Sequence, residues 1–249
     1  MVKIGIVGGS GLDDPKILHD PNEIDIDTNF GKPSSKLIAG SVDGVEVVIL
    51  ARHGKRHQFS PTQVNNRANI MALKDAGVTH IIATTACGSL RKEIERGHLI
   101  IIDQFIDFTR FRKNTFFDSF EDEAHHTPMA EPFDKDLRKL IFDSTKELNL
   151  TAHNGGTVVT IEGPRFSTKA ESHMFRSWGA DIINMSIAPE AMLANEAGIP
   201  YAAVAMSTDY DSWKEDEEPV TWDDILKVFN KNADNVKNLL LNVIKELKE

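Results

Sequence analysis

Apolar residues rich in Val and Ile gather in short runs at residues 2–7, 45–51, 80–85, 99–102, 157–161, 181–185 and 201–206. Most of these runs lack strict alternation, which predicts strands covered on both faces. Between several of them the apolar positions shift to helical spacing. A helix is predicted over 66–76, ending at Gly77, and another over 135–148 through Leu137, Leu140, Ile141 and Leu148. Thr168 with Glu171 reads as a capping box for a helix that runs to Trp178 and stops at Gly179. Pro189 suits the first turn of a further helix, with Gly198 and Pro200 closing it before the last strand. Thr221 and Asp224 open a C-terminal helix with Ile225, Phe229, Val236, Leu240, Val243 and Leu247 on one face, its asparagines marking a weak middle. Strands alternating with helices predict an α/β fold, a parallel or mixed sheet with helices on both sides. The least regular stretch, 108–129, mixes Phe111, Phe116, Phe117 and Phe120 with charges and the pair His125–His126. A loop of that length points to function or to an interface.

Composition narrows the class. The 249 residues suit one large α/β domain or two small ones, and no repeat or linker divides them, so a single domain over 1–249 is expected. The chain is 41% apolar and 27% charged, enough for a sizeable core. With 28 Lys and Arg against 38 Asp and Glu the net charge is −10, which argues against nucleic acid or an anionic membrane as partner. Any anion site is therefore local. The single Cys87 excludes an internal disulfide and a multi-cysteine zinc site, in keeping with a reducing compartment. No run of about 18 apolar residues exists to span a membrane. The opening MVKIGIVGGSGLDDP lacks a basic leader and a small-residue cleavage site, so it reads as the first strand of a cytoplasmic protein.

Three strand ends carry candidate anion chemistry. Glycines around Ser10 let backbone amides approach a ligand, although neither a dinucleotide fingerprint nor a nucleotide-triphosphate loop is present, and a plain tight turn fits as well. Arg52, His53, Lys55, Arg56 and His57 cluster around Gly54 at a strand's carboxyl end, where open α/β sheets bind ligands. A guanidinium there suits phosphate through two parallel hydrogen bonds; a solvated basic turn is the alternative. An Arg-His-Gly triplet also occurs in phosphatases that form a phosphohistidine, but there it ends the first strand. Thr84, Thr85, Ala86, Cys87, Gly88 and Ser89 form a run of small and hydroxyl residues, and Cys87 among them reads as buried and inert. Asp209 and Asp211 follow a strand at i, i+2, which puts both carboxylates on one face and predicts that one holds a proton near neutral pH; two solvated loop aspartates are the alternative. Metal binding by His125–His126 is not expected, because adjacent histidines diverge.

Eight stretches in series carry a resemblance: GGSGLDDP, ARHGKRHQFSPTQVNNRANI, TTACGSL, IIIDQFIDFT, HTPMAEPF, TIEGPRFSTKAE, NMSIAPEAMLANEAGIPYA and STDYDSWKE. Together they resemble the trimeric purine nucleoside phosphorylase superfamily over nearly the whole chain, and most closely its members that act on 5′-methylthioadenosine. The resemblance implies a single domain with a mixed, twisted central sheet flanked by helices, a homotrimer, and phosphorolysis without metal or organic cofactor. Inorganic phosphate is the co-substrate and a nucleoside the small-molecule partner. It further implies that Ser10, Arg52, His53, Thr85, Ala86 and Ser186 hold phosphate, and that Met185 lies under the ribose. Phe166, Ser167, Asp209, Tyr210 and Asp211 would meet the purine, with Asp209 as the acid near N7 and Asp211 reading the 6-amino group. Relatives that use guanosine and inosine carry Glu at the position of Ser167 and Asn at that of Asp209, so both residues here point to 6-aminopurines. His57, His126 from a neighbouring subunit, Ile225 and Leu226 would surround the 5′ group. Trp222 stands where the close relative has valine, which reshapes that pocket and opens the alternative of a broader nucleoside phosphorylase accepting adenosine or inosine.

Overall fold

The structure is a computed structural model and describes residues 1–8, 17–120, 123–216 and 221–248. The chain order is β1 (Lys3–Gly8), β2 (His19–Ile24), β3 (Leu37–Val42), β4 (Val45–Ala51), α1 (Asn66–Asp75), β5 (His80–Ser89), β6 (Leu99–Ile101) and β7 (Gln104–Phe108). It continues with α2 (Lys135–Glu147), β8 (Ala152–Asn154), β9 (Thr157–Ile161), α3 (Lys169–Ser177), β10 (Ile182–Asn184), α4 (Ile187–Glu196), β11 (Tyr201–Tyr210) and α5 (Trp222–Glu246). Among the described residues the strands form one mixed sheet in the order β2-β3-β4-β1-β5-β10-β9-β7, with β11, β6 and β8 joining along the other edge of β5. This is the expected α/β architecture.

Alternation in the central strands explains why both faces are covered. In β4, Val47 and Ile49 join one apolar core with α2 and α5, while Val48 and Leu50 point to the core beneath α1 and α4. A third cluster, with Phe175 of α3, packs against Val159, Ile161 and Ile183. The asparagine-rich middle of α5 does not break it. Asn232 Nδ2 donates to the Val228 carbonyl at 2.8 Å, and buried Phe229, Val236, Leu239 and Leu240 hold the helix to the sheet over 25 residues. Tertiary burial outweighs the weak local propensity.

The strand β5 positions the site. Its residues 80–83 pair in parallel with β1 and residues 88–89 pair antiparallel with β10, both on the same edge, because β11 occupies the other. Among the described residues Thr84 to Cys87 are therefore left without a strand partner on that edge. β4 and β1 run toward this gap from one side, and β10 runs toward it from the other. Carboxyl ends of strands thus face each other across an opening in the middle of the sheet, a general location for ligands in open α/β folds.

Candidate active site

A cavity of about 460 Å3 fills the gap in the sheet. It brings together Arg52, His53, Thr85, Ala86, Met185 and Ser186, and also Phe166, Ser167, Asp209 and Asp211, with His57, Trp222 and Ile225 lining it as well. Ser10 lies outside the described residues.

At the basic end, Arg52 leaves the end of β4 and turns inward. Nε donates to Glu190 Oε1, Nη2 to Glu190 Oε2 at 2.9 Å, and Nη1 to the Thr84 carbonyl at 2.8 Å, with both charged side chains almost wholly buried. The expected two-pronged grip on phosphate is thus taken by Glu190, because a guanidinium this deep requires a counter-charge. Tyr201 completes the group by donating its hydroxyl to Glu190 Oε2 at 2.9 Å. Glu190 was not among the residues expected from sequence; its signal was a single charge inside the apolar run of α4. His53 Nδ1 lies 2.9 Å from the Phe59 carbonyl, which only accepts, so this nitrogen carries the proton. Burial, and then the Arg52 charge, push the imidazole from its ordinary 6.5 down to about 4, leaving it neutral with Nε2 as its second polar atom. Thr85 Oγ1 and Ser186 Oγ stand 3.3 Å apart.

At the acidic end, β11 makes a bulge between Ser207 and Asp209, and Asp209 pairs with Gly88. A Cβ on Gly88 would come within 3.2 Å of Asp209 Oδ2 and 3.5 Å of Asp211 Cβ, so the glycine lets both aspartates crowd the strand. Thr208 Oγ1 donates to Asp209 Oδ1 at 2.7 Å. The Asp211 carboxyl is raised above the ordinary carboxylate range by burial, with Ser172 and Ser167 nearby moderating the effect. Asp211 Oδ2 and both serine hydroxyls are buried without a well-formed protein hydrogen bond, and of these Asp211 and Ser167 line the cavity. Tyr210, between the two aspartates, points away: its hydroxyl donates to the Lys92 carbonyl at 3.2 Å and it does not line the cavity. Strand alternation is the reason. Burial also pushes the Cys87 thiol well up, as an inert cysteine requires.

Three rings line one wall. His53 and His57 lie 4.5 Å apart by their centroids, and His57 and Trp222 5.6 Å. His57 adopts φ of 52°, a left-handed conformation that is costly for a residue with a side chain and holds its ring over His53. Ile225 is buried behind them, whereas Leu226 does not reach the cavity. His126 is exposed and packs on Phe120 at 5.7 Å, outside the cavity of the single chain.

Met185 is held by its surroundings. Arg112 donates Nη1 to the Met185 carbonyl at 3.1 Å, Nη2 to the Glu162 carbonyl at 2.6 Å and Nε to Glu162 Oε1 at 2.9 Å. Burial alone would raise the Glu162 carboxyl, but the Arg110 amide, the Thr62 hydroxyl and the Arg112 guanidinium hold it at about 2. A Cβ on Gly163, whose φ is 66°, would collide with Met185 Sδ. Arg112 and Glu162 escaped sequence reading, since nothing local ties residue 112 to residue 185. Among the described residues no group of three or more His, Cys, Asp or Glu has the geometry to hold a metal ion.

The family described as the phosphorylase superfamily matches residues 3–245. The curated S-methyl-5′-thioadenosine phosphorylase of Xenopus tropicalis is 54% identical over 99% of this chain and 89% of its own length. That of Danio rerio is 52% identical over 99% and 89%. Among solved structures, methylthioadenosine phosphorylase from Schistosoma mansoni in complex with adenine is 41% identical, with a TM-score of 0.96 over 100% of this chain and 92% of that one. A mutant of the adenosine/methylthioadenosine phosphorylase of the same organism, in complex with methylthioadenosine, is 40% identical with a TM-score of 0.94 over 100% and 92%.

Proposed function

This chain belongs to the phosphorylase superfamily, and from that premise we propose that it splits 5′-methylthioadenosine with inorganic phosphate into adenine and 5-methylthioribose 1-phosphate. The observation that carries the reading is the meeting, in one cavity, of a basic and hydroxyl end with a pair of crowded aspartates.

A phosphate oxygen attacks the anomeric carbon as the bond to N9 breaks. The electron pair of that bond moves into the purine, and positive charge develops on the ribosyl group. Both ends need stabilisation in the transition state. Thr85, Ala86 and Ser186 face the anion as donors, with Ser10 as a further donor; neutral His53 accepts at Nε2 from a protonated phosphate oxygen, and Arg52 adds its charge from behind. Met185 packs under the sugar. Asp209 delivers a proton to N7 of the departing base, directly or through water, while Asp211 and Ser167 read the 6-amino group and N1. His57, Trp222 and Ile225 surround the 5′ group, and an apolar wall favours methylthio over hydroxyl there. No metal or organic cofactor enters this reading.

The assembly that goes with it is a homotrimer in the cytoplasm, with His126 reaching the 5′ group of a neighbouring copy. Exposed Phe120, packed beside His126, supports a covered surface at this place. The test is phosphate-dependent release of base from methylthioadenosine, adenosine, methylthioinosine and guanosine. The best rate is expected with methylthioadenosine; a best rate with guanosine would overturn the roles given to Ser167 and Asp209.

A further inference from the structure

Ser186 occupies the N-cap of α4, yet its side chain makes no capping hydrogen bond. A capping serine normally accepts from the second or third helical amide. Here the third helical residue is Pro189, which has no N–H, and the second, Ala188, donates instead to Thr160 Oγ1 of β9 at 3.1 Å. The Ser186 hydroxyl is thereby released to the cavity.

The same threonine starts a chain of fixed polarity. A backbone N–H only donates, so Thr160 Oγ1 receives the Ala188 amide and its own proton goes on to Asn184 Oδ1 at 2.8 Å. The Ser186 amide also donates to Asn184 Oδ1, at 3.4 Å. These two donors set the orientation of the amide group, and its Nδ2 faces Thr85 Oγ1 at 3.4 Å. Thr85 is therefore addressed by a donor from within the protein, and its own proton, now resting on the Ala86 carbonyl at 2.9 Å, is free to turn to a ligand. Thr160, Asn184 and Ser186 are all buried, where a reversed or missing partner is costly.

We propose that Thr160 and Asn184 are positioning residues that make the anion end of the cavity a set of hydrogen-bond donors, Thr160 by capping α4 in place of Ser186 and Asn184 by orienting Thr85. This rests on the reading above in which Thr85 and Ser186 hold phosphate. Thr160 does not line the cavity, and Asn184, which does, acts through its contact with Thr85. Both act by leaving the two hydroxyls with protons to give.

The test uses inorganic phosphate alone and then the full reaction. In the wild-type protein, phosphate without nucleoside raises the melting temperature. In Thr160→Val, about ten-fold more phosphate is needed for the same rise, and KM for phosphate increases to match while KM for the nucleoside stays within about two-fold. Thr160→Ser, which keeps the hydroxyl, restores phosphate binding. Asn184→Asp puts an acceptor opposite Thr85 and weakens phosphate at least as much; it serves as the second variant if Thr160→Val does not fold. Unchanged phosphate affinity in either folded variant, or equal losses for phosphate and nucleoside, overturns the proposal, as does a wild-type protein indifferent to phosphate. A wild-type protein that binds phosphate yet releases no base from any nucleoside counts against the proposed reaction and leaves this inference standing.

Discussion

The guanidinium of Arg52 and the carboxylate of Glu190 meet through two side-chain hydrogen bonds at the end of β4, across a sequence separation of 138 and with almost no solvent on either. Removing one member strands the other as an unpaired buried charge, at a cost of about 3–5 kcal/mol. Glu190→Ala is expected to lose stability on that scale in denaturant unfolding, and Arg52→Ala/Glu190→Ala to regain a substantial part of it. Additive losses in the double variant would show that the two charges do not depend on each other.

Asp209→Asn keeps the shape of the acidic end and removes its proton donor. Turnover of adenine nucleosides is expected to fall by about 10²- to 10⁴-fold with little change in KM for phosphate. Steady-state rates at saturating phosphate measure this directly, and a rate equal to wild type would move the acid role to Asp211.

The neutral His53 makes stability depend on pH. Its imidazole titrates near 4 when folded against an ordinary 6.5, so as pH falls through 6.5 the unfolded chain takes up a proton that the native protein refuses. The native state loses stability progressively from about pH 6.5 down to about 4, and above that window the effect is absent. Unfolding free energies across this range should fall more steeply for the wild type than for His53→Asn. The carboxyl of Glu162, held at about 2, loses its own contribution as pH drops from its ordinary 4.5 toward 2, equally in both proteins. Parallel slopes for the two would mean that His53 protonates freely.

Trp222 lines the cavity beside His57 and is about half exposed, at 47%. Replacing the indole by valine opens space on the 5′ side. Trp222→Val is expected to gain about ten-fold in kcat/KM for nucleosides with a 5′-thioether longer than methylthio, relative to methylthioadenosine. An unaltered ranking of 5′ groups would place the indole away from that group.

Gly163→Ala puts a methyl group into Met185 Sδ at a left-handed backbone position. The expected result is a rise in KM for the nucleoside with stability lowered by about 1–3 kcal/mol, read by ligand titration and thermal unfolding. A wild-type KM would show that Met185 moves aside without consequence.

Apolar runs, helical spacing and capping signals made the buried strands and all five helices legible because these are set by local pattern. The capping box at Thr168 and Glu171 is present with both of its bonds. Strand β2, HDPNEI, was not legible: its residues are mostly exposed and it is held by backbone pairing to β3, which leaves no apolar signature. Strand β7, half-buried along its length, fails for a similar reason. The cavity's three strand ends could be picked out singly, since glycines and clustered polar residues mark them. What joins them is long-range, and neither the Arg52–Glu190 pair nor the Thr160–Asn184 contact has a local trace. Ser186 is the sharpest case, because its release from capping depends on a threonine 26 residues earlier.

The interrupted edge of β5 also gives a bound ligand a mechanical role. The block from β2 to β1, through β1, and the block from β10 to β7, through β10, pair with the same edge of β5 at its two ends, and among the described residues no strand pairs with Thr84 to Cys87 on that edge. On the proposed function, phosphate held between His53 on one side and Ser186 on the other is expected to act as a stitch across that seam, with the Arg52 charge behind it. Occupancy is then expected to brace the sheet and to slow amide exchange with solvent at Thr85, Ala86 and Cys87 when phosphate is added. On that reading phosphate is a removable part of the protein's framework, and each turnover is expected to relax and restore its stiffness.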